Sequence, residues 1–418
     1  MGGASGSGGA PRAGTGGAFG STSAGGSSGA QSAAGNAGAA GADVLGGQGG
    51  EGGVLEGYSG PLGASGVWTD VTPSGVDLST LGSCGNYGTE SVQADPHQPG
   101  TYYTLFMCQG VYRSTDYGQT WSGPINTGQN GESVQDCAGA VRLPPHSASP
   151  PPLYVSCIRG AGIGFWRSSD GGADWTRYAV TPAAPHDDFY PPAVDPYDVN
   201  HLLMAVHGQD MVVESEDGGE TWKAVTLDGG MLHAGTGGIN FIDTGTANAT
   251  RTSWLWLASD TAGNVEGAGG TWRTSNAGEL WTKVETNDHP GGMSEIYQPD
   301  TSGLVFMAGV YSANGAGVFR STDYGVSWAH VGQNVGERVI IGTQNELYAM
   351  NGAALGPGGI FDPILETSPW PGTGTWDLPG VPAGLTQGPG AAAVGNVKTQ
   401  GIVIIAAYNA GLWRYVEP

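Results

Sequence analysis

The densest group of side chains able to do chemistry is the run His186-Asp187-Asp188, which Phe189 and Tyr190 follow directly. Imidazole and carboxylate groups can hold a divalent cation such as calcium, and carboxylates can also bind the hydroxyl groups of sugars. Prolines on both sides of the run indicate a loop, so the alternative is a solvent-exposed connection without a ligand. Both interpretations place these residues outside regular secondary structure.

Other segments that we predict to be loops carry scattered polar and aromatic residues. Together with His186 and Tyr190, the candidates for ligand binding are Arg159, His207, Asp210, His233, His289, Tyr311 and Arg338. A lone histidine can also satisfy only local hydrogen bonds, so binding is not its sole explanation. The sequence has no Walker loop, no HExxH motif and no Ser-His-Asp order. Nothing therefore indicates a nucleotide-binding loop or a zinc protease.

A repeat defines the elements that must position these loops. The pattern Arg-Ser-x-Asp-x-Gly-x-x-Trp occurs in five near-complete copies, which begin at Arg113, Arg167, Glu214, Arg273 and Arg320. The fourth residue of each copy is, in order, Asp116, Asp170, Asp217, Asn276 and Asp323. Its side chain can accept hydrogen bonds from a turn, the glycine allows a positive φ, and the tryptophan packs into a core. We therefore predict that these five positions are structural rather than catalytic.

This repeat resembles the Asp-box, or BNR repeat, of a β-propeller superfamily that includes sialidases, xyloglucanases, sortilin-type receptors and a photosystem II assembly factor. The resemblance implies an all-β fold with four strands in each blade. Tryptophans spaced 47 to 59 residues apart then predict seven blades, marked by Trp68, Trp121, Trp175, Trp222, Trp281, Trp328 and Trp376. Residues 67–72 are expected to form the outermost strand of the last blade, beside inner strands from residues 390–416. Six blades with irregular ends are the alternative.

Composition divides the chain into two parts. Residues 1–57 are almost entirely Gly, Ala and Ser, which predicts a flexible, disordered linker because such a segment buries little apolar surface. Residues 67–418 are then a single seven-bladed β-propeller. The net charge of −23 argues against nucleic acid as a partner, since phosphate binding requires basic surface. No segment is long and apolar enough to be a transmembrane helix, and we expect a monomer.

Four cysteines, none of them in a CxxC pair, indicate disulfides rather than a zinc site. Their spacing predicts the pairs Cys84–Cys108 and Cys137–Cys157, with four buried thiols as the alternative. Disulfides imply an oxidising compartment, so we expect an extracellular, cell-surface or periplasmic protein. No secretory signal is visible in residues 1–20, so this expectation requires a signal or lipid anchor missing from this sequence.

Enzymes of the Asp-box superfamily bind their substrates on the propeller face opposite the boxes. Sialidases clamp the substrate carboxylate with three arginines, whereas only Arg159 and Arg338 are expected on that face in this chain. This difference argues against a sialidase.

The resemblance to xyloglucanases implies a specific catalytic residue. Those enzymes carry a catalytic Asp in a loop between the second and third strands of a blade, and the matching residue in this chain is Asp260. The alternative role for Asp260 is to cap a turn of that loop. Hydrolysis of a glycosidic bond needs a second carboxylate at roughly 5–10 Å, for which the candidates are Asp187, Asp188 and Asp288.

No catalytic constellation is complete in the sequence, so we predict a secreted or surface-tethered propeller that binds glycan or protein through the face opposite the boxes. The alternative is an endo-acting, xyloglucanase-like glycoside hydrolase that uses paired carboxylates on a neutral polysaccharide. An assembly factor for a membrane complex is a third prediction. No cofactor is expected, apart from a divalent cation such as calcium held by the loops.

Overall fold

The computed structural model of the protein describes residues 51–52, 60–79, 88–145, 150–183, 189–206, 211–227, 238–258, 269–285, 296–309, 317–332, 339–350 and 363–418. Across these residues the strands form seven sheets, which are the blades of an all-β, seven-bladed propeller. The predicted fold is therefore confirmed, and the six-bladed alternative is wrong.

Short strands dominate the described residues. In chain order they are β1 (Glu51–Gly52), β2 (Thr69–Asp70), β3 (Val92–Ala94), β4 (Tyr102–Phe106), β5 (Gly110–Ser114), β6 (Ala138–Arg142), β7 (Leu153–Arg159), β8 (Gly164–Ser168), β9 (Thr176–Tyr178), β10 (Ala193–Asp195), β11 (Asp198–Ala205), β12 (Val212–Ser215), β13 (Lys223–Ala224), β14 (Ile239–Phe241), β15 (Trp254–Ala258), β16 (Gly270–Thr274), β17 (Thr282–Glu285), β18 (Val305–Gly309), β19 (Gly317–Ser321), β20 (Ala329–His330), β21 (Val339–Gly342), β22 (Glu346–Met350), β23 (Leu365–Pro369), β24 (Ala391–Val397), β25 (Gln400–Ala406) and β26 (Leu412–Val416). The helices are α1 (Gly131–Gln135) and α2 (Ala247–Thr252).

Each blade is built mainly from strands that follow one another in the chain. Blades 1 to 6 contain β3–β5, β6–β9, β10–β13, β14–β17, β18–β20 and β21–β23, and blade 7 contains β24–β26 with β2. Isolated bridges extend the three-stranded sheets, as Arg113 and Ser122 do in blade 1. The short strand β1 pairs in parallel with β24.

The outermost strand of blade 7 comes from a much earlier part of the chain than its other strands. β2 pairs antiparallel with β26, so that Thr69 is opposite Arg414 and Asp70 is opposite Trp413. The Thr72 hydroxyl oxygen extends this contact by accepting a hydrogen bond of 2.9 Å from the Leu412 amide, 340 residues away in sequence. The edge of β26 is therefore paired rather than open to another chain.

The core lies between neighbouring blades. In β15, for example, all five residues of Trp254–Ala258 are buried. A strand with one solvent-facing side would alternate apolar and polar residues, so this continuous apolar run reflects a sheet covered on both sides. Trp254 and Trp256 pack in one cluster with Leu203 and Val212 of blade 3. Because burial of each large apolar side chain contributes roughly 1.5–3 kcal/mol, these interfaces are the main source of stability.

The turns that carry the repeat, which we call boxes 1 to 5, share one pattern of hydrogen bonds. In box 1, the Ser114 hydroxyl donates to Asp116 Oδ1 at 2.8 Å and accepts from the Gly118 amide at 3.0 Å. Asp116 also accepts from the Thr120 amide at 2.9 Å and from the Thr120 hydroxyl at 2.6 Å. Burial opposes the charge of Asp116, but these hydrogen bonds outweigh it and hold its pKa below the usual value.

Equivalent contacts occur in the other four boxes. Asp170, Asp217 and Asp323 each accept one hydrogen bond from the serine hydroxyl two positions earlier and one from the backbone amide four positions later. Asn276 makes equivalent contacts through its side-chain oxygen, which accepts from the Thr274 hydroxyl and the Leu280 amide. In box 5, hydrogen bonds from Ser327 outweigh the effect of burial and lower the pKa of Asp323 to about 2. The side chains at these positions are engaged within their own turns.

Arginines on third strands connect neighbouring blades through these boxes. Arg167 of blade 2 donates to the Gly218 carbonyl of box 3 at 2.9 Å. Arg273 of blade 4 donates to the Tyr324 carbonyl of box 5 at 3.0 Å. Arg414 of blade 7 donates in the same way to the Tyr117 carbonyl of box 1. The acceptor is always the residue after the box Asp, so the contact recurs at an equivalent position.

Candidate functional site

Three loops that join a second strand to a third strand lie side by side in blades 7, 1 and 2. With the residues that link them, they comprise residues 88–90, 107–109, 136–137, 160–163 and 407–411, which we call the loop shelf. Loops held by a rigid scaffold are where binding residues are usually placed. The loop shelf is therefore the candidate functional site among the described residues.

Backbone hydrogen bonds connect the three loops of the shelf. Tyr408 and Thr89 exchange two of them, at 2.8 and 3.2 Å, which joins blade 7 to blade 1. The Cys108 amide donates to the Cys137 carbonyl at 2.9 Å, which joins blade 1 to blade 2. Because these contacts are between main-chain atoms, they fix the relative positions of the loops independently of their side chains.

Asp136 positions the blade 2 part of the loop shelf. Its carboxylate accepts a hydrogen bond of 3.1 Å from the Ala161 amide, and its carbonyl oxygen accepts one of 2.9 Å from the Gly162 amide. Arg159, one of the predicted binding residues, immediately precedes this loop and is exposed. A guanidinium group in this position can donate several hydrogen bonds to ligand oxygens.

A disulfide supports the same part of the shelf. Cys137, next to Asp136, is bonded to Cys157 on β7 across a Cα–Cα distance of 5.4 Å, so the predicted pair is confirmed. Cys108 is also disulfide-bonded. Its predicted partner Cys84 lies outside the described residues. The shelf is thus anchored by covalent as well as hydrogen bonds.

Close packing defines the junction of blades 7 and 1. Tyr408 and Glu90 are buried, with 3% and 9% of their surface exposed. A Cβ atom added at Gly390 would lie 2.8 Å from the Cβ of Glu90 and 3.0 Å from the Tyr408 ring, so a larger residue does not fit without rearrangement. Asn409 is the exposed polar side chain of the 407–411 loop.

The Gln109 side chain holds the segment before blade 1 against the loop shelf. Its Oε1 accepts from the Asp77 amide at 2.7 Å, and its Nε2 donates to the Asp77 carbonyl at 2.7 Å. Side-chain and backbone hydrogen bonds from Ser79 lower the pKa of the exposed Asp77 carboxyl. Asp77, Arg159 and Asn409 are thus exposed polar groups in or beside the shelf, and they suit hydrogen bonding to hydroxyl groups.

Most residues predicted to act at a site lie outside the described residues. They are the catalytic candidates Asp187, Asp188, Asp260 and Asp288 and the binding candidates His186, His207, Asp210, His233, His289, Tyr311 and Arg338. Tyr190 is among the described residues, and its position corrects the prediction that it binds a ligand. Only 4% of its surface is exposed, and its side chain packs in the cluster between blades 3 and 4. Among the described residues, no group of three or more His, Cys, Asp or Glu side chains is arranged to hold a metal ion.

The structure reveals a buried charged group in blade 3 that sequence reasoning missed. His201 is fully buried, with Nδ1 2.9 Å from Asp195 Oδ2 and Nε2 2.9 Å from Glu214 Oε1. Glu214 also lies 3.1 Å from Lys223 Nζ. One signal was present in the sequence, because Glu214 stands where the other four copies of the repeat have arginine. A buried carboxylate at that position requires a cationic partner nearby.

Sequence comparisons relate the chain to xyloglucanases. It is 24% identical over 294 residues to the xyloglucanase Xgh74A of Acetivibrio thermocellus, which covers 59% of this chain and 32% of that protein. It is 25% identical over 280 residues to a xyloglucanase of Paenibacillus sp., which covers 57% of this chain and 25% of that protein. The chain therefore spans a third or less of the length of these relatives. No protein-family profile matches the chain.

A solved structure shows the same architecture. The GH74 xyloglucanase from Xanthomonas campestris superimposes with a TM-score of 0.55 and 16% sequence identity, covering 83% of this chain and 53% of that one. At this identity the likeness supports the propeller fold alone, because one fold hosts many activities. No helix in the described ranges is both long and apolar enough to cross a membrane.

Proposed function

We propose that the propeller binds a neutral polysaccharide of the xyloglucan type at the loop shelf. The observation that carries this proposal is the similarity, over 59% and 57% of the chain, to two proteins named xyloglucanases. The loop shelf supports it, because a fixed backbone presents exposed polar groups such as Arg159 and Asn409. Preorganised donors and acceptors bind sugar hydroxyls with little loss of conformational entropy.

Charge and disulfides agree with this proposal. The net charge of −23 repels polyanionic polysaccharides and is compatible with neutral chains as ligands. The Cys137–Cys157 disulfide suits an oxidising compartment, and we place the protein outside the cytoplasm, where such polysaccharides occur.

Calorimetric titration with oligosaccharides tests the proposal. The ligands are xyloglucan oligosaccharides, with cello-oligosaccharides, chitin oligosaccharides and polygalacturonate fragments for comparison. Saturable binding is expected for xyloglucan oligosaccharides and none for polygalacturonate, because the acidic surface repels it. The proposal is wrong if the folded protein binds none of the neutral ligands.

Two matched variants test whether the loop shelf is the binding site. Arg159→Gln removes one exposed positive charge at the shelf, and Lys398→Gln removes one exposed charge from the β24–β25 turn, at the other end of β25 from the 407–411 loop. Loss of one hydrogen bond, about 0.5–1.5 kcal/mol, weakens binding roughly 2- to 12-fold for Arg159→Gln. Lys398→Gln should bind as the wild type does. Equal effects of both variants would place the site elsewhere.

The names of the relatives favour hydrolysis of xyloglucan as a second candidate function. In that case Asp260 is the catalytic acid or base, paired with Asp187, Asp188 or Asp288. Release of reducing ends from xyloglucan, with the loss of release in Asp260→Asn, would support this function. Asp323→Asn is the matched control, because Asp323 is engaged in box 5. Saturable binding without release would leave binding as the function.

A further inference from the structure

The seam between blades 3 and 4 is built differently from the seams that an arginine closes. At the strand position where blades 2 and 4 carry Arg167 and Arg273, blade 3 carries Glu214. A carboxylate has no proton to donate to the carbonyl of the next box. Glu214 instead contacts His201 and Lys223, both in its own blade. Other contacts must therefore hold blade 3 against blade 4.

His201 lies at the centre of these other contacts. Its ring meets Phe241 edge-on at 4.9 Å and lies 6.3 Å from Trp254, and both aromatic residues belong to blade 4. Its two nitrogens contact Asp195 on β10 and Glu214 on β12, each at 2.9 Å. One buried imidazole thus joins three strands of blade 3 and two strands of blade 4.

The geometry specifies the protonation state of His201. Both ring nitrogens face carboxylate oxygens, which accept hydrogen bonds but cannot donate them when ionised. Only the doubly protonated imidazolium donates from both nitrogens. Loss of one proton would leave a nitrogen lone pair facing a carboxylate in a buried position, which is unfavourable. Burial opposes the charge of His201, but the hydrogen bonds to Asp195 and Glu214 outweigh it and raise its pKa.

Two cationic side chains lie beside the carboxylates around His201. Lys223 on β13 lies 3.1 Å from Glu214, and Arg251 of α2 lies 3.1 Å from Asp198 across the seam. Arg251 lowers the pKa of His201, but less than the two carboxylates raise it. The strands of blade 4 that pack on the ring contribute the uncharged rings of Phe241 and Trp254. His201 is therefore the group of this cluster whose ordinary pKa lies nearest neutral pH.

We propose that His201 is a proton-dependent latch between blades 3 and 4, closed by the imidazolium and released when the ring loses a proton. Because the folded protein holds this proton more tightly than the unfolded chain, the stabilisation is fully present below about pH 6.5. It is lost as the pH rises through the raised pKa of the folded state.

Hydrogen exchange measured by mass spectrometry from pH 6 to pH 9, corrected for the intrinsic pH dependence, tests the latch. The protection of amide hydrogens in β10–β15 against exchange should fall as the pH rises. The fall is up to about tenfold for each pH unit between the pKa values of His201 in the unfolded and folded states. Protection of β24–β26 in blade 7 should not fall with it. An equal loss in blade 7 would overturn the proposal.

Substitutions at the latch distinguish it from general alkaline destabilisation. Glu214→Gln keeps a hydrogen-bond acceptor but removes one of the two charges that hold the proton, so the loss of protection should begin at lower pH. His201→Leu removes the titrating group, so the protection of β10–β15 should not change with pH if the variant folds. His330→Gln replaces an exposed histidine on β20 and should leave the profile unchanged. A Glu214→Gln profile identical to that of the wild type would also overturn the proposal.

Discussion

Arg414 on β26 donates through Nε to the carbonyl oxygen of Tyr117, 297 residues earlier in the chain, at 2.6 Å. A second guanidinium nitrogen donates to the Leu62 carbonyl at 2.7 Å. One side chain with only 5% of its surface exposed therefore connects blade 7, box 1 and the segment that precedes β2. Removal of this side chain would leave two carbonyl groups without these donors, and the one of Tyr117 is buried from water.

Substitution of Arg414 by Met should lower the free energy of unfolding by about 2–4 kcal/mol. Hydrogen bonds from a charged donor contribute roughly 1.5–3 kcal/mol each, and the desolvation of the buried charge offsets part of that sum. Urea unfolding measures the difference. Arg113→Met is the matched control, because Arg113 has the equivalent place in blade 1 but is exposed, and it should cost less than about 1 kcal/mol. Equal losses in the two variants would contradict this role of Arg414.

Two serines at equivalent positions should respond differently to substitution by Ala. The Ser321 hydroxyl donates to Asp323 at 2.7 Å and accepts from the Gly325 amide at 2.9 Å. Ser368 has the same place on β23, the third strand of blade 6, but Trp370 stands there in place of the acidic residue. The buried Ser368 hydroxyl has no hydrogen-bond partner among the described residues. Ser321→Ala should cost about 1–3 kcal/mol, whereas Ser368→Ala should be neutral or stabilising. Thermal unfolding of both variants measures this difference, which would be absent if the box contacts added no stability.

Acid should weaken box 5 through Asp323. Since hydrogen bonds lower the folded-state pKa of Asp323 to about 2 from the usual 3.8, its contribution is present above pH 3.8 and is lost as the pH falls towards 2. Asp323→Asn should therefore lose less stability than the wild type between pH 5 and pH 2. Asn276→Asp in box 4 is the reverse test and should lose more. Urea midpoints measured across this pH range would refute the prediction if all three proteins changed equally.

The turns of the repeat, which the sequence predicted, depend on contacts within a few residues. Asp116, for example, contacts Ser114 and Thr120, so the repeat pattern contains the whole hydrogen-bonded turn. The latch at His201 depends on pairing between strands and between blades, which a linear pattern does not specify. The same limit explains Tyr190, whose aromatic ring suits a sugar platform and a core equally well until its neighbours are known.

The Cys137–Cys157 disulfide should stabilise the propeller and, with it, the loop shelf. The bond spans 20 residues of sequence, for which the reduced entropy of the unfolded chain corresponds to about 3 kcal/mol. The double variant Cys137→Ala/Cys157→Ala should therefore unfold at lower urea concentration. Because the backbone hydrogen bond between Cys108 and Cys137 needs no thiol, binding to the loop shelf should change less than stability does. Ser156→Ala, a neighbouring buried position, controls for the truncation of a small side chain. Unchanged urea midpoints in the double variant would show that this bond does not stabilise the native fold.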